Sequence, residues 1–207
     1  MPHSQHTKPL EPAEGAKLLR LARDAIRWGI DTGAVEGFRL AEQERAAFPE
    51  PTACFVSLHT QDGELRGCIG SLEAQRPLAE AVVEAAMGAA LRDPRFPPLT
   101  ADELPRVDLE LSILSEARLV PASNEAELLA QLTPGEDGVV LRYGEQRATL
   151  LPVVWEQFDS AREFIAALKR KAGLPADAWP EGMRFYRYTA QRFSEAAFVA
   201  GGQSDAV

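Results

Sequence analysis

The chain has 207 residues, 45% hydrophobic and 26% charged, with a formal net charge of −9. That length supports one substantial core, in one domain or two lobes, and the acidity disfavours the affinity for nucleic acid or anionic lipid that clustered Lys and Arg supply. No apolar run approaches the roughly 20 residues of a bilayer span and residues 1–9 lack the apolar stretch of a signal peptide, so the expectation is a cytoplasmic protein with no membrane partner.

Residues 1–11 read as a disordered arm, 12–199 as one compact unit of two lobes, and 200–207 as a flexible tail. The spacing predicts a helix over 12–33, with Pro12 in its first turn, Gly33 as its stop, and Leu18, Leu21, Ala22, Ala25, Ile26 and Gly29 on the buried side. Residues 35–52 hold no sustained period and read as an irregular connection. Residues 53–60 alternate as a strand, Asp62-Gly63 reads as a two-residue hairpin turn with positive φ at both positions, and 65–71 return.

After Pro77 a helix runs to about Arg92, with small residues over most of its girth that imply close backbone contact. Thr100 and Glu103 form a capping box for a short turn, and 107–114 follow as a strand with Glu110 on its polar side. Asn124 with Glu127 opens a short helix, 138–143 and 146–151 form a second hairpin, and Ser160 with Glu163 opens a helix that stops at Gly173. Residues 183–193 read as a single late strand. Strands arrive as hairpins separated by helices, which predicts an α+β fold with a largely antiparallel sheet.

The chemistry concentrates in Leu65-Arg66-Gly67-Cys68-Ile69-Gly70. Glycine costs backbone entropy and packs nothing, so two of them around a cysteine imply that something approaches this backbone closely. A two-residue turn at Asp62-Gly63 sets Ser57 opposite Cys68, His59 opposite Arg66 and Phe55 opposite Gly70, so that Ser57, His59, Arg66 and Cys68 share one face. A one-residue slip would separate the His from the Arg and Cys. Cys54, the other cysteine, falls on the opposite face, which rules against a disulfide between them.

In this arrangement the Arg66 cation favours the thiolate, the form that attacks electrophiles. His59 stands as a base, and Glu110 would orient Arg66 if the strands are neighbours. Gly67, Gly70 and Ser57 are candidate binding positions beside the candidate catalytic set Cys68, Arg66, His59 and Glu110.

The same residues have a plain structural reading: a cysteine between glycines as a small buried hydrophobe, and Arg66 with Glu110 as a surface ion pair worth about 0–1 kcal/mol. One Cys and one His fall short of the three or four ligands of a typical metal site, so no metal is expected. The Arg and Tyr residues of 184–188 interleave as nucleic-acid surfaces do, but alternation in a strand is more simply one packed and one wet face. Lys169-Arg170-Lys171 at a helix C-terminus serves the dipole before it serves as a basic patch.

Several segments in order, the Leu65–Gly70 motif, Arg92-Asp93-Pro94-Arg95-Phe96-Pro97-Pro98, Leu109-Glu110-Leu111-Ser112-Ile113-Leu114-Ser115, Leu151-Pro152-Val153 and Lys171-Ala172-Gly173-Leu174-Pro175, resemble the AMMECR domain family, whose bacterial form is called AmmeMemoRadiSam system protein A. The resemblance spans about 16–193. It implies an α+β fold with a larger and a smaller lobe and the cysteine motif lining a cleft, and it adds Asp93 and Arg95 of the second motif to the binding positions. It further implies association with a Memo-like protein and a radical-SAM protein in a shared modification pathway, with a small molecule or peptide as the cleft's ligand. It names no reaction and no cofactor.

Overall fold

The computed structural model describes residues 9–197, so the predicted tail and all but the last three residues of the predicted arm lie outside the described residues. Two compact units form: an N-terminal unit of residues 9–114 with 191–197, and a middle unit of 115–190.

In the N-terminal unit, helix α1 (Pro12–Thr32) begins where the Glu14 carboxylate accepts from the Glu11 backbone N–H at 2.8 Å, and ends at Gly33 in the left-handed region. Its predicted apolar stripe is buried, joined by Leu19. Leu10 is tied down as well, its N–H donating to Gln191 Oε1 and its carbonyl accepting from Gln191 Nε2. The predicted irregular connection contains a short helix, α2 (Glu42–Ala47). Six residues are too few to register a helical period, and α2 buries none of them.

Strands β1 (Cys54–Thr60), β2 (Leu65–Ser71), β3 (Val107–Leu114) and β8 (Ala190–Ser194) form a sheet in the order β2-β1-β3-β8, with β1 antiparallel to both neighbours. Helix α3 (Leu78–Leu91) packs on β1 and β2, and α1 packs on α3. The core between them holds Leu18, Ile26, Val56, Leu58, Val82, Ala86, Leu109 and Leu111, none of them exposed. The small residues of α3 serve the predicted purpose: a Cβ on Gly88 would stand 2.8 Å from Ile69 of β2.

The middle unit has its own antiparallel sheet of β4 (Arg118–Val120), β5 (Gly138–Tyr143), β6 (Gln146–Leu150) and β7 (Arg184–Tyr188) in the order β4-β7-β5-β6. Helices α4 (Glu125–Leu129) and α5 (Ala161–Lys171) start at the predicted caps, where the Asn124 and Ser160 side chains accept from the N–H groups of Glu127 and Glu163. The core centres on Phe164, which stacks on Trp155 at 3.7 Å between ring centroids.

The late strand is two strands. The chain breaks at Thr189, whose N–H and carbonyl are held by the Ser115 hydroxyl and N–H, both at 2.9 Å. β7 then belongs to the middle sheet and β8 to the N-terminal one. Alternation persists on both sides of the break, so the pattern alone carries no mark of it. Among the described residues no helix is long and apolar enough to cross a membrane.

Candidate functional site

The β1–β2 hairpin reaches the predicted pairing by a different route. Its loop is three residues, with the Gly63 N–H donating to the Thr60 carbonyl, the Thr60 N–H to the Glu64 carbonyl, and only Gly63 at positive φ. That geometry is the three-residue turn closed by a left-handed glycine, not the two-residue turn that needs positive φ twice. It shifts the ladder by one, so His59 faces Leu65; a bulge that leaves Arg66 without an opposite number shifts it back, and Leu58 faces Gly67, Ser57 faces Cys68 and Phe55 faces Gly70. The expected opposition of His59 and Arg66 is therefore replaced, while that of Ser57 and Cys68 stands.

The outcome is a polar row across the sheet face opposite the core. The Ser57 hydroxyl donates to Cys68 Sγ at 3.2 Å, Glu110 of β3 lies opposite Ser57 on its other side, and Arg192 of β8 closes a two-point ion pair with Glu110 at 3.1 and 2.6 Å. His59, two residues from Ser57 along β1, faces Leu65 across the bulge from the Ser57–Cys68 pair. It faces Asp108 of β3 on the other side.

Arg66 and Glu110 do not meet. Arg66, with 11% of its side chain exposed, forms a two-point pair with Glu103 at 3.0 and 3.2 Å and lies over the Phe96 ring at 5.8 Å. Glu103 was legible only as a cap; its carboxylate both accepts from the Thr100 N–H and holds Arg66, and the Arg66 guanidinium first and the Thr100 donors next lower its pKa against the effect of burial. Arg66 Nη1 is buried with no hydrogen-bond partner among the described residues.

Asp93 and Arg95 grip the backbone of Cys68. The Cys68 N–H donates to Asp93 Oδ2 at 2.8 Å and Arg95 Nη2 donates to the Cys68 carbonyl at 3.2 Å, while Arg95 Nε donates to Asp93 Oδ1 at 2.9 Å. β2 is an edge strand, and this clamp satisfies the outward N–H and C=O that an edge leaves open. The two glycines of the motif have the same kind of explanation. A Cβ on Gly67 would fall well inside 3.0 Å of the Ala89 carbonyl oxygen in α3, and one on Gly70 equally close to the Cys54 carbonyl, so what approaches this backbone is the protein's own.

Asp93 is almost fully buried, and its carboxyl titrates well below the usual carboxylate range, held there by the Arg95 guanidinium first and by the Cys68 and Arg95 N–H groups, with burial opposing. A carboxyl whose folded pKa lies below its unfolded value of about 3.9 stabilises the fold fully above that value and less as the pH falls below it. Melting temperature should therefore fall below about pH 4, and Asp93→Asn, already less stable at neutral pH, should show a shallower acid limb. Parallel melts of both proteins between pH 6 and 2.5 check this, and identical limbs would remove Asp93 as a source.

The two cysteines have opposite environments. Cys68 is partly exposed, whereas Cys54 is 2% exposed and its thiol is pushed up to about 12 by burial and the nearby Glu84 charge. The basic run 169–171 is dispersed: Lys169 is buried in an ion pair with Glu125 and Lys171 donates to the Thr149 carbonyl. Sequence reasoning also missed Arg23, which grips Glu195 and the carbonyls of Leu104 and Val107, between two open pockets of about 420 and 360 Å³. Among the described residues no group of three or more His, Cys, Asp or Glu is arranged to hold a metal ion.

A two-sheet α+β protein with a clamped cysteine on a sheet edge has relatives. The AMMECR1 family model matches residues 19–193. Protein MJ0810 of Methanocaldococcus jannaschii is 45% identical over 186 residues, covering 88% of this chain and 90% of its own; a protein of Methanothermobacter thermautotrophicus is 37% identical over 190 residues, covering 90% and 97%. The crystal structure of the uncharacterised protein PH0010 from Pyrococcus horikoshii, 33% identical, matches with a TM-score of 0.82 over 90% of this chain and 93% of that one. The chain belongs to the AMMECR1 family.

Proposed function

We propose that this is a cytoplasmic protein of the AmmeMemoRadiSam type, acting with a Memo-like and a radical-SAM protein in a modification pathway, and that its site is the polar sheet face around Cys68. The observation that carries the reading is the row of Cys68, Ser57, Glu110 and Arg192, with a hydroxyl donating to the sulfur of a partly exposed cysteine whose backbone is fixed on both sides by Asp93 and Arg95. A thiol held this way presents one defined position to a small molecule or a modified side chain, with His59 of the same strand as Ser57 as the candidate base. Arg66 adds a buried donor, Nη1, with no acceptor among the described residues, a costly arrangement of about 1–3 kcal/mol that a bound acceptor would relieve.

The competing reading is a non-catalytic adaptor that holds a peptide on the same face. It is supported by the glycines and the Asp93–Arg95 clamp, all of which serve the protein's own backbone. Alkylation of the native chain with iodoacetamide at pH 8, followed by peptide mass spectrometry, separates the two. The Cys-centred reading expects Cys68 to react faster than free glutathione and to be protected by the Memo-like partner, while Cys54 stays unmodified until the chain is unfolded. A Cys68 no faster than glutathione, together with a Cys68→Ser variant that still binds the partner, would leave the adaptor.

A further inference from the structure

The middle unit's sheet has one face on the Phe164 and Phe185 core, supplied by Val139, Leu141, Ala148 and Leu150. On its other face three arginines from three successive strands stand in a row: Arg184 of β7 opposite Arg142 of β5, and Arg142 opposite Arg147 of β6. All three are exposed. Like charges directly opposed across strands destabilise a sheet, so folding alone does not account for Arg142 opposite Arg184. The Arg142 guanidinium lies over Tyr186 at 5.1 Å, and neither Arg142 nor Arg184 has a carboxylate partner among the described residues. Tyr186, half-buried, faces Leu119 of β4, which is 54% exposed and the most exposed large apolar side chain described.

We infer that this face docks a carboxylate-rich segment of a partner protein, with Arg142 and Arg184 taking its acids and Tyr186 with Leu119 taking an adjoining apolar side chain. Neighbouring strands are spaced about 4.8 Å apart, so Arg142 and Arg184 stand within the reach of a few residues of extended peptide. Guanidinium forks match carboxylates in two-point pairs, and Arg142 is already oriented by its ring. A nucleic acid fits less well. One half-buried tyrosine is less than the series of stacking rings that single-strand surfaces present.

The test uses the full chain and a fluorescein-labelled octapeptide of alternating Glu and Phe, read by fluorescence anisotropy. Binding at 20 mM NaCl should weaken as salt is raised, and Arg142→Glu should cost about tenfold or more in affinity. Arg184→Gln, which removes one opposed like charge, should also weaken binding without lowering the melting temperature, a combination that a merely structural row would not give. Cys68→Ser should bind as the wild type does, which separates this surface from the site around the thiol. A wild type that fails to bind the peptide, an Arg142→Glu variant that binds equally well, or a single-stranded 12-mer that binds more tightly than the peptide at the same salt would overturn the inference. Should Arg142→Glu fail to fold, Arg184→Gln alone decides.

Discussion

Gly67→Ala is expected to lower stability by about 3 kcal/mol or more, a melting-temperature loss of about 6–12 °C for a chain of this size. The new methyl group would fall well inside 3.0 Å of the Ala89 carbonyl oxygen, a backbone atom of α3, so no side-chain rotation relieves it. β2 and α3 must separate, and their contact is the one that seats Ile69 against Gly88. Thermal denaturation followed by circular dichroism reads the effect, and a variant melting within a degree or two of the wild type would show that the strand can shift away at little cost. A consequence follows for any test of the thiol. Changes at Gly67 or Gly70 report on folding first, so ligand binding has to be probed by Cys68→Ser, which leaves the backbone contacts alone.

The site was legible in outline because β pairing is a two-state alternation. Ser57 and Cys68 were placed opposite each other from the turn, and they are opposite each other, yet through a three-residue turn and a bulge that cancel. A sequence shows Asp62-Gly63 as a turn in either geometry, and nothing local marks Arg66 as the residue that bulges. The three-residue turn is what removes Arg66 from His59, and the bulge leaves Arg66 opposite no residue. The partners of Arg66 and Glu110 were illegible for a different reason: Glu103 and Arg192 are 37 and 82 residues away from them along the chain. Glu103 was visible as a capping residue and Arg192 as part of a late strand, but neither role announces an ion pair. Helix caps, stops and apolar stripes, by contrast, are local: α1, α4 and α5 stand where these signals predicted, and α3 runs from just after Pro77 to Leu91.

Lys169 shows the same limit inside the middle unit and sets a large expected effect. Next to Arg170 and Lys171 at a helix C-terminus, it reads as a surface cation; in the fold 1% of its side chain is exposed, its Nζ is 2.6 Å from Glu125 Oε2, and it lies over the Trp179 ring at 5.3 Å. Glu125→Ala leaves that ammonium buried without a counter-charge and should cost about 3 kcal/mol, the low end for a broken buried pair because Glu125 is 24% exposed and water can reach its place. Lys169→Met keeps the apolar stem and removes the charge, while Glu125 retains Arg162 at 3.5 Å, so that change should be nearly neutral. The double variant should then recover most of the Glu125→Ala loss, a coupling of about 2 kcal/mol between the two sites. Urea titrations of the four proteins measure it. If Lys169→Met is as damaging as Glu125→Ala, the ammonium is a net stabiliser through Trp179 and the carboxylate together, and the pair does not merely offset its own desolvation.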